Sequence, residues 1–232
     1  MKQVELQNLL DELTATLVAL GSPRRAAAAQ NDKSTHYECL AIRVPVLRHV
    51  ATKDFAQKDL SPKDRLALHD YIWKQASYYE VMSIPLLYYY AEGRKRRLER
   101  FQFNTIKNWI DRVDDWGHAD GLGGILSFFN EQFKQDVFPY LQSLNQQTDL
   151  WSIRVSIVAL VHYSGKNAVY LATDEAFSLL EPHLERKEKY IANAVGWVLR
   201  EYRRKHPRVT GEFVEDRKHR VSSIALRRYE QA

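Results

Sequence analysis

Residues 2–20 read KQVELQNLLDELTATLVAL, and the spacing inside this stretch decides the fold class. Leu6, Leu9, Leu10, Leu13, Leu17 and Leu20 recur at steps of three and four, which on a helix makes one apolar stripe with Glu5, Asp11 and Glu12 off it. Gly21-Ser22-Pro23 ends the pattern, and further segments of helical length run over 24–36, 45–57, 62–76 and 78–98. Ser61-Pro62 reads as an N-cap followed by Pro in the first turn, and Thr173-Asp174-Glu175 opens another helix with acids at its positive end. Nine Gly and seven Pro in 232 residues fall well below the roughly 12% usual for the two together, and they sit at segment ends. Strand signals are nearly absent: no Asn-Gly or Asp-Gly joins alternating apolar runs, and 153–163 is too long an apolar run for one strand. The expectation is an all-α fold with one domain over 1–232. Many short helices with brief loops favour a curved solenoid of stacked pairs, with an irregular helical globule as the alternative.

Composition narrows the functional classes. At 45% hydrophobic residues the chain buries a real core, which excludes disordered and collagen-like classes. Cys39 is the single cysteine, so no intramolecular disulfide forms, and Glu5, Asp11 and Glu12 interrupt any secretory signal; a cytoplasmic protein is expected. The longest apolar stretch, 84–91, is far short of the ~20 residues a membrane span needs.

A net charge of +5 acquires meaning from where the positive charge lies. Arg94, Lys95, Arg96, Arg97 and Arg100 form one run; Arg200, Arg203, Arg204 and Lys205 a second; Arg217, Lys218, Arg220, Arg227 and Arg228 a third. Each run reads either as a solvated helix face or as a set of phosphate contacts, and three together favour nucleic acid. Asn193, Trp197, Arg200 and Arg204, at i, i+4, i+7 and i+11, share one aromatic and basic helix face. That face suits a nucleotide; the plainer alternative is a core Trp edged by snorkelling Arg. In Asp114-Asp115-Trp116-Gly117-His118-Ala119-Asp120-Gly121, Trp116 and Asp120 project together, and Asp114 or Asp115 caps the helix they occupy. Gly121, Gly123 and Gly124 follow, for close helix packing or close approach of a ligand. No metal motif, phosphate loop or nucleophile elbow is present; His36, Glu38 and Cys39 lack a second ligand pair.

Four stretches together resemble the AlkD-type DNA alkylation repair glycosylases, a family built from HEAT-like helical repeats. Residues 191–202, IANAVGWVLREY, are similar to its signature helix; Asp115 to Asp120 resembles its Trp-Asp-x-Val-Asp; Leu150 to Arg154 resembles its Trp-x-x-Arg; and Leu40 to Arg48 is similar to Leu-Gly-Ile-x-Thr-Pro-x-x-Arg. The order and spacing hold over 30–205.

The resemblance implies degenerate HEAT-like antiparallel helix pairs with a basic concave surface, acting on duplex DNA that carries alkylated bases. It implies Trp116 and Trp197 flanking the deoxyribose, Asp120 at the anomeric carbon and Arg154 on the adjacent phosphate, with Arg43, Arg48, Arg200 and Arg204 as further DNA contacts. The expected protein is a monomer with no cofactor, no metal and no membrane, nucleoid-associated when bound to DNA. Gly117 departs from the pattern where the family usually has an acid, His118-Ala119 replaces a small-residue-Val pair, Val44 replaces Thr, and Asp32 stands where an aromatic lines the family's DNA cleft. Asp32 and Gly117 favour, as the alternative, a non-catalytic HEAT-repeat protein that binds DNA structures; a protein-protein scaffold is the third reading.

Overall fold

The computed structural model describes residues 1–55, 59–163 and 167–231. Among them are thirteen α-helices and no strand, the only extended pairing being the isolated bridges Glu38 with Tyr78 and Val161 with Val169. The order is α1 (Gln3–Leu20), α2 (Pro23–Lys33), α3 (Val44–His49), α4 (Pro62–Gln75), α5 (Tyr79–Arg94), α6 (Arg100–Ile106), α7 (Trp116–Gln132), α8 (Lys134–Asn145), α9 (Leu150–Val158), α10 (Thr173–Leu180), α11 (Lys189–Lys205), α12 (Pro207–Asp216) and α13 (Ser223–Glu230).

The start signals act as expected: Ser61 Oγ accepts the Asp64 N–H at 3.1 Å with Pro62 in the first turn of α4, and α10 opens at Thr173 with Asp174 and Glu175 in its first turn; Asp149, which the spacing does not single out, caps α9 through the Ser152 N–H at 2.7 Å. Helix ends depart from the spacing. Segment 24–36 stops at Lys33 because Ser34 takes φ 56, a left-handed stop. Segment 45–57 divides into α3 and a π-helical turn over Val50–Asp54, and its last residues lie outside those described. Segment 78–98 ends at Arg94, with Arg96 at φ 56. The apolar run 153–163 begins its helix earlier, at Leu150, and leaves it at Val158. In α1, Leu10, Leu13 and Leu17 are buried, whereas Leu20 at the stripe's end is 49% exposed.

The chain divides into two compact units, Met1–Gly121 and Leu122–Ala232. In the first, α5 packs on α1, α3 and α4, and α4 on α6. Its core centres on Trp73 and Trp109, both fully buried and stacked at 5.4 Å; their indole N–H groups donate to the Trp109 carbonyl and to Asp70 Oδ1. In the second, helices pack on those one or two places along the chain: α8 on α9, α9 on α11, and α11 on α12 and α13. Stacking of helices on near neighbours in sequence is what a solenoid of pairs requires.

Gly196 shows how tightly the last layer is built. A Cβ there would stand 2.3 Å from the Ala225 carbonyl oxygen and 2.7 Å from Arg228 Cβ, so only glycine lets α13 lie directly on α11. Gly196→Ala should therefore lower stability by about 1–3 kcal/mol. Gly211 in α12 has open space around it, and Gly211→Ala should raise stability by roughly 0.5–1 kcal/mol through helix propensity. Urea unfolding of the two variants beside the parent measures both signs.

Candidate functional site

The first unit carries Trp116 and Asp120 on the opening turns of α7, and buried polar groups set that opening. Asp115 is fully buried, and its Oδ1 accepts the Gly117 N–H at 2.6 Å and the His118 N–H at 3.2 Å, capping the helix; the Tyr79 hydroxyl donates to the same oxygen at 3.3 Å. Asp114 turns the other way. Its carboxylate accepts the Thr35 hydroxyl at 2.7 Å and the His36 N–H at 2.8 Å, and the His36 ring lies 2.5 Å from it, which ties the chain after α2 to the start of α7. From α5, buried Glu80 accepts the Leu40 N–H at 2.7 Å and so anchors the loop that leads to α3. Arg43 and Arg48, at the two ends of α3, are exposed.

His118 is 1% exposed, stacked on Tyr79 at 4.0 Å and set edge-on to Trp73 at 5.2 Å. Ser83 Oγ gives its hydrogen to the Tyr79 carbonyl at 2.8 Å, so its lone pair faces His118 Nε2 at 3.1 Å; Tyr79 O, 3.3 Å from Nε2, is also an acceptor. Nε2 therefore carries the hydrogen, and Nδ1 presents a lone pair to Asp115 Oδ2 at 3.2 Å. Burial lowers the His118 pKa and keeps the ring neutral, while burial pushes the Asp115 carboxyl up to about 6. Below about pH 6 a proton on Asp115 completes the contact; above it two lone pairs face one another. Asp114, Asp115 and His118 are also the one group of three metal-type donors among the described residues. The Asp114 carboxylate and Asp115 Oδ1 are engaged as above, Asp115 Oδ2 and His118 Nδ1 have no hydrogen-bond partner among the described residues, and the positive charges of Lys33 and Arg112 help lower the His118 pKa.

The indole of Trp116 is half-buried; its N–H donates to the Asp32 carbonyl at 3.4 Å, and the Lys33 ammonium lies 5.4 Å from its ring. Asp120, one turn on, is partly exposed.

The second unit carries the other expected residues. Arg154, on α9, is 7% exposed and donates to the Tyr190 carbonyl at 2.5 Å, at the start of α11. On α11, Asn193, Trp197, Arg200 and Arg204 all lie outside the buried set of that helix and share a face as the spacing predicts. Arg200 and Arg204 both pair with Glu201 at 3.0 Å. Tyr163, 38% exposed, sets its ring 4.8 Å from that of Trp197; sequence reasoning misses it, because it arrives from a turn with no periodicity. The third basic run is largely structural, since Arg217 and Arg220 pair with Glu181 at 3.0 and 3.3 Å, Arg220 with Glu185 at 2.7 Å and Lys218 with Glu215 at 3.3 Å.

A family model described as "DNA alkylation repair enzyme" matches residues 13–228, nearly the whole chain. The chain belongs to the DNA alkylation repair enzyme family. Its fold is similar to a solved structure titled a predicted DNA alkylation repair enzyme from Enterococcus faecalis, with TM-score 0.75 and 16% identity over 91% of this chain and 95% of that one. It is also similar to AlkD2 from Streptococcus mutans, with TM-score 0.60 and 13% identity over 88% and 95% of the two chains. No curated protein matches it. Among the described residues no helix is long and apolar enough to cross a membrane.

Within this family the departures at 117 and 118 are one feature. A Cβ on residue 117 would stand 2.3 Å from the Tyr79 hydroxyl, so the Tyr79 and His118 stack excludes an acid there. His118 packs helices and has no surface for phosphate. Asp32 meets Trp116 through its backbone carbonyl, a contact any residue makes, while its own side chain is exposed. Gly121 and Gly123 serve close packing: added Cβ atoms would meet Leu86 at 3.0 Å and Val158 at 2.9 Å, respectively.

The Asp115 assignment has a pH signature. A carboxyl raised from 3.8 to about 6 by folding contributes stability that is full below about pH 4 and is lost as pH rises through about 6. The Asp115→Asn variant would keep the cap and lack the titration. Relative to the parent, it should be more stable at about pH 7.5, and that advantage should shrink by about 1–3 kcal/mol at about pH 4.5. Paired denaturation curves at the two pH values cancel the common titration of His118 and read the difference.

Proposed function

We propose that this protein is a DNA glycosylase that hydrolyses the N-glycosidic bond of cationic N3- or N7-alkylated purines in duplex DNA, without flipping the base into a pocket. The observation that carries the reading is the pairing of a partly exposed indole and carboxylate, Trp116 and Asp120, one turn apart on α7, in a chain of the alkylation repair family.

An N3- or N7-alkylated purine already bears positive charge and departs as a neutral base, so no general acid is required. What remains is an oxocarbenium-like sugar. Asp120 opposes the developing cation and orients the attacking water; the water adds at the anomeric carbon, gives up a proton and leaves an abasic site. Trp116 and Trp197 cover the deoxyribose, exclude bulk water and present π faces to its charge. Arg154, held by the Tyr190 carbonyl, takes the neighbouring phosphate, and Arg43 and Arg48 add backbone contacts from exposed positions. Arg200 and Arg204 reach phosphate by exchanging their bonds to Glu201.

Two outcomes test this. Asp120→Asn should lower single-turnover release of 7-methylguanine from methylated duplex by about 100-fold or more while duplex binding survives; release at the parent rate with folding intact contradicts the role of Asp120, and binding without release by the parent leaves the non-catalytic DNA-binding reading. Glu201→Gln removes the internal partner of Arg200 and Arg204. It should raise duplex affinity at low salt by about threefold to tenfold and steepen the dependence of log affinity on log salt by roughly one, measured by fluorescence anisotropy.

A further inference from the structure

A groove of about 330 Å³ lies between α11 and α13, lined by Lys189, Asn193, Ile224, Arg227, Arg228 and Gln231. Three of the six carry positive charge and none carries negative charge. Elsewhere in this unit many cations are matched: Arg186 to Glu188, Arg200 and Arg204 to Glu201, Arg208 to Glu212, Arg217 and Arg220 to Glu181. The groove's cations are not. Among the described residues Lys189 and Arg227 have no carboxylate partner, and Arg228 donates to the neutral amide oxygen of Gln231 at 3.0 Å. The nearest acid in sequence to Lys189, Glu188, is held by Arg186 at 2.6 Å.

The groove is also fixed in shape. Gly196 brings α13 onto α11 so closely that Arg228 Cβ would lie 2.7 Å from a Cβ at 196, which sets the base of Arg228 against the α11 backbone. Along α11, Lys189, Asn193 and Trp197 succeed one another at four-residue steps, about 6 Å each. Lys189, the groove's cation on α11, therefore lies about two turns, roughly 12 Å, from the indole, a separation matching one or two nucleotides of a DNA strand.

We infer that this groove is an anion site for a phosphodiester of the DNA strand, one to two nucleotides away from the deoxyribose that Trp197 faces. Arg227, Arg228 and Lys189 supply the charge, the Asn193 amide donates to a phosphate or sugar oxygen, and Ile224 offers an apolar wall to the sugar. The inference rests on the DNA-directed reading above, and it adds a contact whose role is to set the strand's register.

The test uses the full chain carrying Arg227→Gln, the same with Lys189→Gln added, and Arg208→Gln as the paired-cation control. Anisotropy with an undamaged fluorescent duplex across a salt series should show affinity falling about threefold to tenfold per residue at low salt. The log-log salt slope should decrease by about one for each, with Arg208→Gln near the parent. Parent-like affinity and slope in the double variant overturn the site. So does a groove that takes free phosphate only, in which inorganic phosphate raises the parent's melting temperature and not the double variant's while duplex binding is the same for both. Duplex binding by the parent without base release sinks the glycosylase reading and leaves the groove judged by its salt slope; absence of duplex binding by the parent overturns both.

Discussion

The contact between a neutral, fully buried imidazole and a buried carboxyl is the constraint on which the opening of α7 depends. His118 is fixed as the Nε2–H tautomer by Ser83 and Tyr79, so its remaining lone pair faces Asp115. Asp115 in turn caps the helix and receives the Tyr79 hydroxyl. Stacking of His118 on Tyr79 then dictates glycine at 117. Five residues, Tyr79, Ser83, Asp115, Gly117 and His118, are thus determined together, and Trp116 and Asp120, both partly exposed, sit on a helix start held by those contacts.

The arrangement suits chemistry in which the substrate brings its own leaving-group activation. Asp120 is a partly exposed carboxylate beside an indole, whereas the carboxyl whose pKa is raised, Asp115, is sealed inside the fold where no substrate reaches it. Electrostatic opposition to a sugar cation needs the former and has no use for the latter as an acid. Arginine is divided in the same way. Arg217 and Arg220 hold the last helices to the turn at Glu181, Arg154 is seated on a carbonyl, and Arg227, at the edge of a groove, has no carboxylate partner among the described residues.

Much of this was legible in the residues. Leucine spacing, the Ser61 cap and the acids Asp174 and Glu175 in the first turn of α10 predict helices that are present, because amphipathic periodicity and helix-end electrostatics are local effects. Helix ends at Ser34 and Arg96 were not legible, since each depends on a residue entering left-handed φ without a glycine to announce it. The shared face of Asn193, Trp197, Arg200 and Arg204 follows from helical arithmetic, but the pairing of both arginines with Glu201 depends on side-chain placement that spacing does not encode. Gly117 and His118 read as unrelated departures in sequence; Tyr79, far earlier in the chain, is what couples them. Tyr163 beside Trp197 and the groove under Arg227 come from tertiary contacts alone.

The central claim is that charge on the base, with no acid supplied by the protein, drives the reaction. It is tested most directly by comparing release of 7-methylguanine and of an uncharged purine lesion, hypoxanthine, from the same duplex under single-turnover conditions. Release of the methylated base with no detectable hypoxanthine is the predicted result. Comparable release of both would require a proton donor that Asp120, Trp116 and Trp197 do not supply, and would contradict the account.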